Sequence, residues 1–247
     1  MKIAITGCDR GRIRDWMIEE WGCIPVVCDI TQPDDVAREL KRVDPDILIH
    51  AAAMTDVDEC ERQPTRAVET NLRGTWNVLR AFRGDLFVFI SSDHVFDGKR
   101  GPYAETAKQN PVNCYGLTKF AAEMLVNTHD DCKTMIVRTS KLFTIDDITR
   151  FLAMLKTVNG RYAVPTMLRR SFMYLPHFAL SLADIIARVA EGEVYVPSIV
   201  HISGSETVSY YKFWSDVLDR LAPGERRLIK PRRIYFHGNA ERPKKGG

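Results

Sequence analysis

Leu86-Phe87-Val88-Phe89-Ile90-Ser91-Ser92 is an apolar run that ends in two hydroxyl side chains, and it gives a strong strand signal. Continuous apolar runs rich in β-branched and aromatic residues are typical of strands buried on both faces of a parallel sheet. Helix-like segments separate this run from its neighbours, which predicts βαβ units and a doubly wound parallel α/β sheet of the Rossmann-like class. The neighbouring runs lie at 2–6, 24–27, 46–50 and 134–138.

The segments between the strands carry apolar residues at helical spacing. Val36, Leu40 and Val43 recur at intervals of four and three residues, which predicts a helix with one apolar face. A second helix is predicted from the recurrence of Val68, Leu72, Trp76 and Leu79. After residue 143 the pattern is looser. Helices are predicted there at 148–157, 175–191 and 209–221, with short strands near Tyr195 and His201.

Composition describes a globular chain. It has 247 residues, of which 45% are hydrophobic and 27% charged, and these values exclude a disordered, collagen-like or membrane-spanning protein. No apolar run approaches the ~20 residues of a transmembrane helix. The amino terminus runs directly into the first predicted strand without a signal-peptide pattern. We therefore expect a cytoplasmic protein that does not engage membranes.

Neither the cysteines nor the basic carboxyl end indicates a further class of function. The six cysteines form no CxxC pair and no zinc-ligand spacing, so we expect reduced packing thiols and no metal site. Residues 224–247 carry eight Lys or Arg and two Glu, a local charge of +6 within a net charge of +3. Such a basic segment can bind phosphate groups. Only Tyr235 and Phe236 supply aromatic rings there, so nucleic-acid binding is not expected.

The turn after the first strand predicts an anion-binding site. Gly7 and Gly11 lie in it. A glycine lets the backbone approach a pyrophosphate, and the following helix presents free N–H donors to that group. The third glycine of the dinucleotide pattern is missing, since Ile13 and Arg14 stand where it is expected. Dinucleotide binding is favoured over a plain turn because three arginines accompany the glycines: Arg10, Arg12 and Arg14.

Two later segments are compatible both with dinucleotide binding and with a purely structural role. Asp29-Ile30 lies where an acidic residue can hold an adenosine, about 20 residues after the glycine turn. Asp29 is equally suited to a turn before the next helix. Ala51-Ala52-Ala53 follows a buried strand, and its small side chains suit either the close approach of a flat ring or ordinary strand–helix packing. We expect a dinucleotide-binding domain over 1–142 and a reduced substrate-binding lobe over 143–247 that does not fold independently.

The motif Tyr115-Gly116-Leu117-Thr118-Lys119 carries the clearest chemical signal. A spacing of four on a helix puts the Tyr115 phenol and the Lys119 ammonium on one face. The cation is expected to lower the pKa of Tyr115 toward neutrality and make it a usable acid or base. The bare motif is common by chance. Its context adds Ser92 at the carboxyl end of a buried strand, the edge where parallel sheets bind ligands.

With these segments in order, the chain resembles the extended short-chain dehydrogenase/reductase superfamily, and within it the dTDP-4-dehydrorhamnose reductase group. The resemblance is dense from residue 29 to 140 and thin elsewhere. It includes Asp29-Ile30-Thr31, Glu61 and Asn71. The longer matching stretches are PDILIHAAAMTDVD (45–58), SSDHVFDG (91–98), PVNCYGLTK (111–119) and VRTS (137–140).

The resemblance implies a hydride transfer from a reduced nicotinamide to the 4-keto carbon of a nucleoside-diphosphate sugar. Ser92, Tyr115 and Lys119 match the catalytic residues, with Tyr115 protonating the oxygen. Asn71 matches an Asn of a proton relay in some relatives, or is a buried helix residue. Positions implied for the cofactor are Gly7, Arg10, Gly11, Arg12, Ile13, Asp29, Ile30, Ala51, Ala52, Ala53, Thr55, Ser91, Tyr115 and Lys119. Positions implied for the substrate are Val57, Asp93, His94 and Lys141.

The chain also departs from the pattern of the group. The interval from Gly7 to Asp29 is short, so Asp29 matches an adenine-contacting acid and the usual ribose-binding acid is absent. With the turn arginines nearby, this favours NADPH, and NADH stays open. His94 replaces a Tyr and Lys141 replaces a Trp, so the sugar or nucleotide is expected to differ, although His94 also suits a hydrogen-bonded wall residue. The sequence stops soon after Arg242-Pro243, where relatives continue, which again predicts a reduced lobe.

Two alternatives stay open from the sequence. One is a dinucleotide-binding regulatory subunit without turnover, which the missing glycine and reduced lobe favour. The other is an epimerase or a 4,6-dehydratase on the same scaffold. Asp93-His94 lacks the Glu that elimination chemistry needs after the Asp, and an epimerase needs tightly held NAD⁺. Relatives are often dimers, so the resemblance also implies a homodimer.

Overall fold

A computed structural model describes residues 1–7, 12–157, 161–192 and 197–232 of the chain, with Arg12 described by its backbone alone. The predicted strand near Tyr195 and the basic stretch 233–247 lie outside the described residues. The described strands are β1 (Ile3–Thr6), β2 (Ile24–Val26), β3 (Ile47–His50), β4 (Leu86–Ser92), β5 (Lys133–Thr139), β6 (Leu142–Phe143), β7 (Tyr162–Pro165), β8 (Arg169–Arg170), β9 (Met173–Tyr174), β10 (Ile199–His201), β11 (Val208–Ser209) and β12 (Ile229–Arg232).

Helices connect most of these strands. The described α-helices are α1 (Arg12–Trp21), α2 (Pro33–Val43), α3 (Val57–Arg62), α4 (Pro64–Val68), α5 (Thr75–Ala81), α6 (Cys114–Asn127), α7 (Ile145–Thr157), α8 (Leu175–Ala190) and α9 (Tyr210–Leu221). A π-helical segment, Glu69–Gly74, joins α4 to α5, and 3₁₀ turns cover Asp93–Val95 and Pro223–Leu228. None of the described helices has the length and apolar character needed to cross a membrane.

Six of the described strands form a central sheet in the order β10-β5-β4-β3-β1-β2, and every neighbouring pair is parallel. The chain passes from β1 outward to β2 and then crosses back to β3, which lies on the other side of β1. This reversal opens a crevice at the carboxyl ends of β1 and β3, where doubly wound sheets bind ligands. The predicted fold class is confirmed.

Helices cover both faces of the sheet. On one face, α2, α5 and α6 pack against side chains such as Leu48 and Phe87, and on the other, α1 and α8 pack against Ile49 and Val88. All seven residues of β4 are buried. This two-sided burial explains why β4 reads as a continuous apolar run instead of an alternating one.

The helical segment from Pro64 to Ala81 forms as predicted, but only half of its predicted apolar face is buried: Leu79 lies in the core and Leu72 packs against it. Val68 and Trp76 are 39% and 40% exposed. The π-helical segment changes the residue spacing within the helix, and the inward positions are taken by Asn71 and Thr75, which are buried. Polar contacts described below keep those two side chains inside.

Residues after 142 contribute to the central sheet and to a second, smaller core. The central sheet gains α8 on one face and β10 at its edge, beside β5. A smaller core elsewhere joins α7, β7, α9 and β12 through Leu155, Val164, Leu218 and Ile229. The division of the chain at residue 142 stays a prediction, with the sheet itself drawing on both sides of it.

Candidate active site

Ser92, Tyr115 and Lys119 come together at the carboxyl edge of the sheet. Ser92 ends β4, and Tyr115 and Lys119 lie one turn apart at the start of α6. All three are buried and line one cavity of about 700 Å³. The Ser92 hydroxyl donates to Asp93 Oδ1 at 3.3 Å. The sequence-predicted catalytic residues therefore share one cavity.

The start of α6 is fixed by its cap and by a close backbone approach. Asn113 Oδ1 accepts the N–H of Gly116 at 2.7 Å, which satisfies a donor that the helix leaves free. A Cβ on Gly116 would lie 2.1 Å from the carbonyl oxygen of His94. Only glycine allows α6 to lie this close to the turn after β4, and this contact brings Tyr115 to Ser92.

Burial sets the protonation of the site. It raises the pKa of Tyr115 above the ordinary tyrosine value, with the nearby Ser92 hydroxyl opposing the rise and the charges of Asp93 and Cys60 adding to it. Burial also lowers the pKa of Lys119 to about 7, against the charge of Glu123. The prediction that Lys119 brings the pKa of Tyr115 toward neutrality is wrong for this site, because desolvation outweighs the cation. Tyr115 consequently holds its proton at neutral pH.

Lys119 lies against an aromatic ring and near a buried imidazole. Its Nζ lies 3.9 Å from the centroid of the Phe89 ring. His50 is fully buried nearby, and burial together with the Lys119 charge lowers its pKa to about 3. The His50 ring contacts Thr6 Oγ1 at 2.7 Å and Thr75 Oγ1 at 3.1 Å. His50 is therefore neutral, and it ties β1 and β3 to α5.

Asn71 links the loop after β3 to α6. Its Oδ1 accepts the Met54 N–H at 2.7 Å, and its Nδ2 donates to the Met54 carbonyl at 3.0 Å and to Thr118 Oγ1 at 2.9 Å. These contacts are structural and hold the backbone beside Lys119. A relay role for Asn71 stays a prediction.

A polar cluster lies beside the two catalytic hydroxyls. Asp93 Oδ1 accepts from Ser92 Oγ at 3.3 Å, and Asp93 Oδ2 accepts from Ser140 Oγ at 2.8 Å. The His94 ring stands edge-on to Tyr115 at 5.4 Å between centroids. The guanidinium of Arg170, in β8, lies 3.7 Å from Asp93 Oδ2 and 3.2 Å from His94 Nε2. Sequence reasoning missed Arg170, which lies 76 residues from His94 and in no recognisable motif.

Several residues predicted to hold a cofactor line the same cavity: Gly7, Ile13, Ala51, Ala53, Thr55 and Ser91. Ser91 directs its hydroxyl to Glu123 at 2.5 Å. Ala52 does not line the cavity, because it packs in the core and is 5% exposed. Arg10 and Gly11 lie outside the described residues, and Arg12 is described only as the first residue of α1.

A second cavity of about 1130 Å³ lies beside Asp29 and Ile30, and Gly7 lines both cavities. Asp29 Oδ1 accepts from the backbone N–H and the hydroxyl of Thr31, and these bonds, the hydroxyl first, lower the pKa of Asp29. Asp29 thus forms the turn before α2 and lines a cavity as well. Arg62 and Arg66 also line it, and no motif in the sequence points to them.

The four residues predicted to contact substrate, namely Val57, Asp93, His94 and Lys141, all line the first cavity. Among the residues that the structure describes, no three His, Cys, Asp or Glu side chains lie together as metal ligands would.

The family model for the RmlD substrate binding domain matches residues 3–246. The chain belongs to this family. Its curated relatives include the dTDP-4-dehydrorhamnose reductase of Aggregatibacter actinomycetemcomitans, 30% identical over 198 residues, which are 77% of this chain and 66% of that protein. The methionine adenosyltransferase 2 subunit beta of Danio rerio is 28% identical over 123 residues, 50% of this chain and 36% of that protein.

Solved structures agree with this assignment to the RmlD family. The dTDP-4-dehydrorhamnose reductase of Bacillus anthracis str. Ames, in complex with NADP, superposes with a TM-score of 0.84 at 26% identity, covering 99% of this chain and 89% of that one. The Clostridium acetobutylicum dTDP-4-dehydrorhamnose reductase superposes with a TM-score of 0.83 at 26% identity, covering 99% and 88%. The chain spans slightly less than two thirds of the first curated relatives, 66% and 65% of their lengths.

Part of the cavity wall comes from the second half of the chain. Arg170, Leu175 and Tyr210 line it together with Phe143 and Thr144. These residues lie in the part of the sequence where the resemblance was thin, and no spacing signal connects them.

Proposed function

We propose that this protein reduces the 4-keto group of a nucleoside-diphosphate deoxysugar with NADPH, the chemistry for which its reductase relatives are named. The observation that carries the proposal is the convergence of three buried side chains, Ser92, Tyr115 and Lys119, on one cavity at the carboxyl edge of the sheet. A carbonyl oxygen at this position meets two hydroxyl donors at once.

The residues present fit a dinucleotide. Gly7 lines both cavities, and an extended ligand that passes it would place one end beside Asp29 and the other beside Tyr115. Ala51 and Ala53 leave room for a flat ring where larger side chains would fill the space. When bound, the reduced nicotinamide supplies the hydride. Lys119 is the group that would hold the adjoining ribose, since its ammonium carries three donors.

The chain's own residues manage the oxygen and its proton. Ser92 and Tyr115 polarise the substrate carbonyl, and Tyr115 gives up its proton to the oxygen as negative charge develops there. The raised pKa of Tyr115 keeps that proton on the phenol until it is needed. Negative charge that develops on Tyr115 favours the protonated form of Lys119 one turn away, and that ammonium stabilises the phenolate that remains.

The charge of the cavity suits an anionic substrate. Its lining includes the cations Arg14, Lys119, Lys141 and Arg170 against the anions Asp56 and Asp93. This excess of positive charge favours a diphosphate ester over a free sugar. Lys141 and His94 stand where the reductase pattern has other side chains, and we assign to them the choice of nucleotide or sugar.

A second candidate is a cofactor-binding regulatory subunit without turnover. The similarity of half of this chain to methionine adenosyltransferase 2 subunit beta favours it. In this candidate both cavities hold the dinucleotide, and Ser92 and Tyr115 meet no substrate.

The deciding experiment offers the purified protein dTDP-4-dehydrorhamnose and its UDP and GDP counterparts, each with NADPH and with NADH. Loss of the near-ultraviolet absorbance of the reduced cofactor is followed, and the products are separated by chromatography. We expect oxidation of NADPH with at least one 4-keto sugar and a reduced sugar in equal amount. Tight cofactor binding without oxidation with any sugar contradicts the reductase and supports the regulatory subunit. Stoichiometric NAD⁺ in the purified protein supports an epimerase instead.

A further inference from the structure

Thr139 belongs to the first cavity but takes no part in the polar cluster beside Ser92. It ends β5, lines the cavity and is 7% exposed. Among the residues that the structure describes, its Oγ1 has no hydrogen-bond partner. The neighbouring hydroxyls of Ser92 and Ser140 both donate to Asp93, at 3.3 and 2.8 Å. A buried hydroxyl that makes no hydrogen bond destabilises a fold, so packing alone does not explain Thr139.

Strand pairing places Thr139 beside Ser92. The two residues are partners in the parallel register of β4 and β5, one step after the pair Ser91 and Arg138. Ser91 and Arg138 both hydrogen-bond to Glu123 of α6, so they point to the α6 face of the sheet. Because side chains alternate along a strand, Ser92 and Thr139 share the other face, with their Cα atoms about 5 Å apart.

Thr139 stands on the side of Ser92 that faces away from the cofactor crevice. In the central sheet β4 lies between β5 and β3, and β1 lies beyond β3. Cavity residues predicted to hold the cofactor, namely Gly7, Ala51 and Ala53, follow β1 and β3. A ligand group that extends past Ser92 to Thr139 therefore belongs to the substrate.

The Thr139 hydroxyl can turn toward such a ligand at small cost. Threonine carries a methyl group and a hydroxyl on Cβ, and one rotation between staggered χ1 positions exchanges them. In the described part of the protein the hydroxyl has no hydrogen bond to lose by this rotation. The methyl group then takes the buried position, which suits it better than a hydroxyl.

We propose that Thr139 is a substrate-binding residue that determines specificity: its hydroxyl hydrogen-bonds to the C3 hydroxyl of the sugar, the group beside the 4-keto carbon. This inference rests on the proposed function, in which Ser92 contacts the keto oxygen. Two side chains in register on adjacent strands suit two oxygens on neighbouring ring carbons. A sugar hydroxyl both donates and accepts, as the threonine hydroxyl does.

The kinetic test pairs two variants with two substrates. Thr139→Val and Thr139→Ser are each offered the 4-keto sugar that the substrate panel selects and its 3-deoxy counterpart. With the 3-hydroxy sugar we expect Thr139→Val to lower kcat/KM by about fivefold to tenfold, the effect of one hydrogen bond. With the 3-deoxy sugar the loss should be below about twofold, and Thr139→Ser should keep most of the wild-type kcat/KM with both.

The matched control is Thr134→Val, the same chemical change near the start of β5. Thr134 does not line the cavity, and this variant should keep the wild-type kcat/KM with both sugars. An equal loss with the 3-hydroxy and the 3-deoxy sugar in Thr139→Val overturns the proposal, because the effect would then not involve the C3 hydroxyl.

Thermal unfolding of the ligand-free protein gives a readout that a structural role would move in the opposite direction. Valine keeps the shape of threonine and removes the hydroxyl, so Thr139→Val should leave the Tm unchanged or raise it. A lowered Tm would mean that the hydroxyl stabilises the fold through a partner within the protein, and it would overturn the assignment to the substrate.

Calorimetric binding separates this inference from the proposed function. If the wild-type protein reduces no sugar, the proposed function fails, and binding of dTDP-6-deoxyglucose and of its 3-deoxy counterpart still tests Thr139. We expect Thr139→Val to weaken binding of the first sugar only and to leave the Kd of NADPH unchanged. Weaker NADPH binding with unchanged sugar binding overturns the inference, because the hydroxyl would then serve the cofactor. A wild-type protein that binds neither sugar overturns it as well.

Discussion

Three ionisable side chains at the centre of this site are pushed toward their neutral forms by burial. The pKa of Tyr115 is raised, that of Lys119 falls to about 7, and that of His50 falls to about 3. A neutral phenol suits an acid that gives a proton away, and a neutral His50 adds no second positive charge beside Lys119. A buried lysine is costly to keep, and its place in the cavity indicates that its charge serves the ligand instead of the fold.

The cost of Lys119 depends on pH in a direction that follows from its lowered pKa. Between about pH 7 and the ordinary lysine value the unfolded chain binds a proton that the folded protein does not, so stability rises with pH in this window. We expect Lys119→Met to raise the Tm, and to raise it more at pH 6 than at pH 9. Thermal unfolding of the ligand-free proteins at both values measures this.

The control for this prediction is Lys133→Met, an exposed lysine at the start of β5. Its effect on the Tm should be small at both pH values. A Lys119→Met variant whose change in Tm is equal at pH 6 and pH 9 would show that Lys119 is charged throughout that range in the folded protein.

At the residue scale, the sequence predicted which residues form the site better than it predicted their pKa values. The four-residue spacing of Tyr115 and Lys119 placed both groups in one cavity, because helical periodicity alone determines which face they share. The direction in which the pKa of Tyr115 is shifted could not be predicted, since desolvation depends on residues distant in the sequence that bury the phenol. Arg170 could not be found either, because its closeness to His94 results from the path of the whole chain.

At the scale of elements, α6 and the turn after β4 act as one unit. Gly116 lies against the His94 carbonyl, and Asn113 caps α6 while its amide faces the His94 ring. A change in the cap should therefore affect both the stability of α6 and the alignment of Tyr115.

Asn113→Ala tests this coupling. Loss of the cap should cost about 1 kcal/mol of unfolding free energy and should also lower kcat, because Tyr115 follows the first turn of α6. Denaturant unfolding and steady-state kinetics measure the two effects. Ser209→Ala is the matched control, since Ser209 caps α9 by accepting from the Lys212 N–H at 3.0 Å. It should cost similar stability without lowering kcat, and an equal loss of kcat in both variants would contradict the coupling.

The sequence predicted most elements of the first 140 residues, with β4 matching the predicted 86–92. The long helix shows where the pattern misled. Leu72 and Leu79 pack in or against the core as predicted, but Val68 and Trp76 are exposed. Asn71 and Thr75 take inward positions instead, through buried hydrogen bonds to Met54 and to His50. Hydrophobic periodicity cannot find a helix face that is held inside by polar contacts.

At the scale of the whole molecule, the second half of the chain supplies part of the core around the central sheet and part of the cavity lining. One face of the sheet is covered by α8, whose Phe178 and Leu182 are fully buried against it. The same half supplies Arg170 and Tyr210 to the cavity. A loose sequence pattern after residue 143 thus did not indicate a peripheral role, and the pattern alone could not show where these helices dock.

Phe178→Ala tests whether the two halves share one core. Removing this ring should cost about 3–5 kcal/mol, because a large cavity remains beneath the sheet, and unfolding should stay a single transition. Leu180→Ala on the same helix is the control. Leu180 is 54% exposed, and its loss should change stability by less than about 0.5 kcal/mol. Two separate transitions in Phe178→Ala would mean that the first 142 residues are stable without α8.

The most direct measurement compares the wild-type protein with Tyr115→Phe in single turnover, using NADPH and the 4-keto nucleotide sugar that the substrate panel selects. The substitution removes one hydroxyl and keeps the ring that packs on His94. We predict unchanged cofactor binding and a rate of NADPH oxidation lowered by about 10²-fold or more. A variant that folds, binds NADPH and reduces the sugar at the wild-type rate would contradict the assignment of Tyr115 as the proton donor.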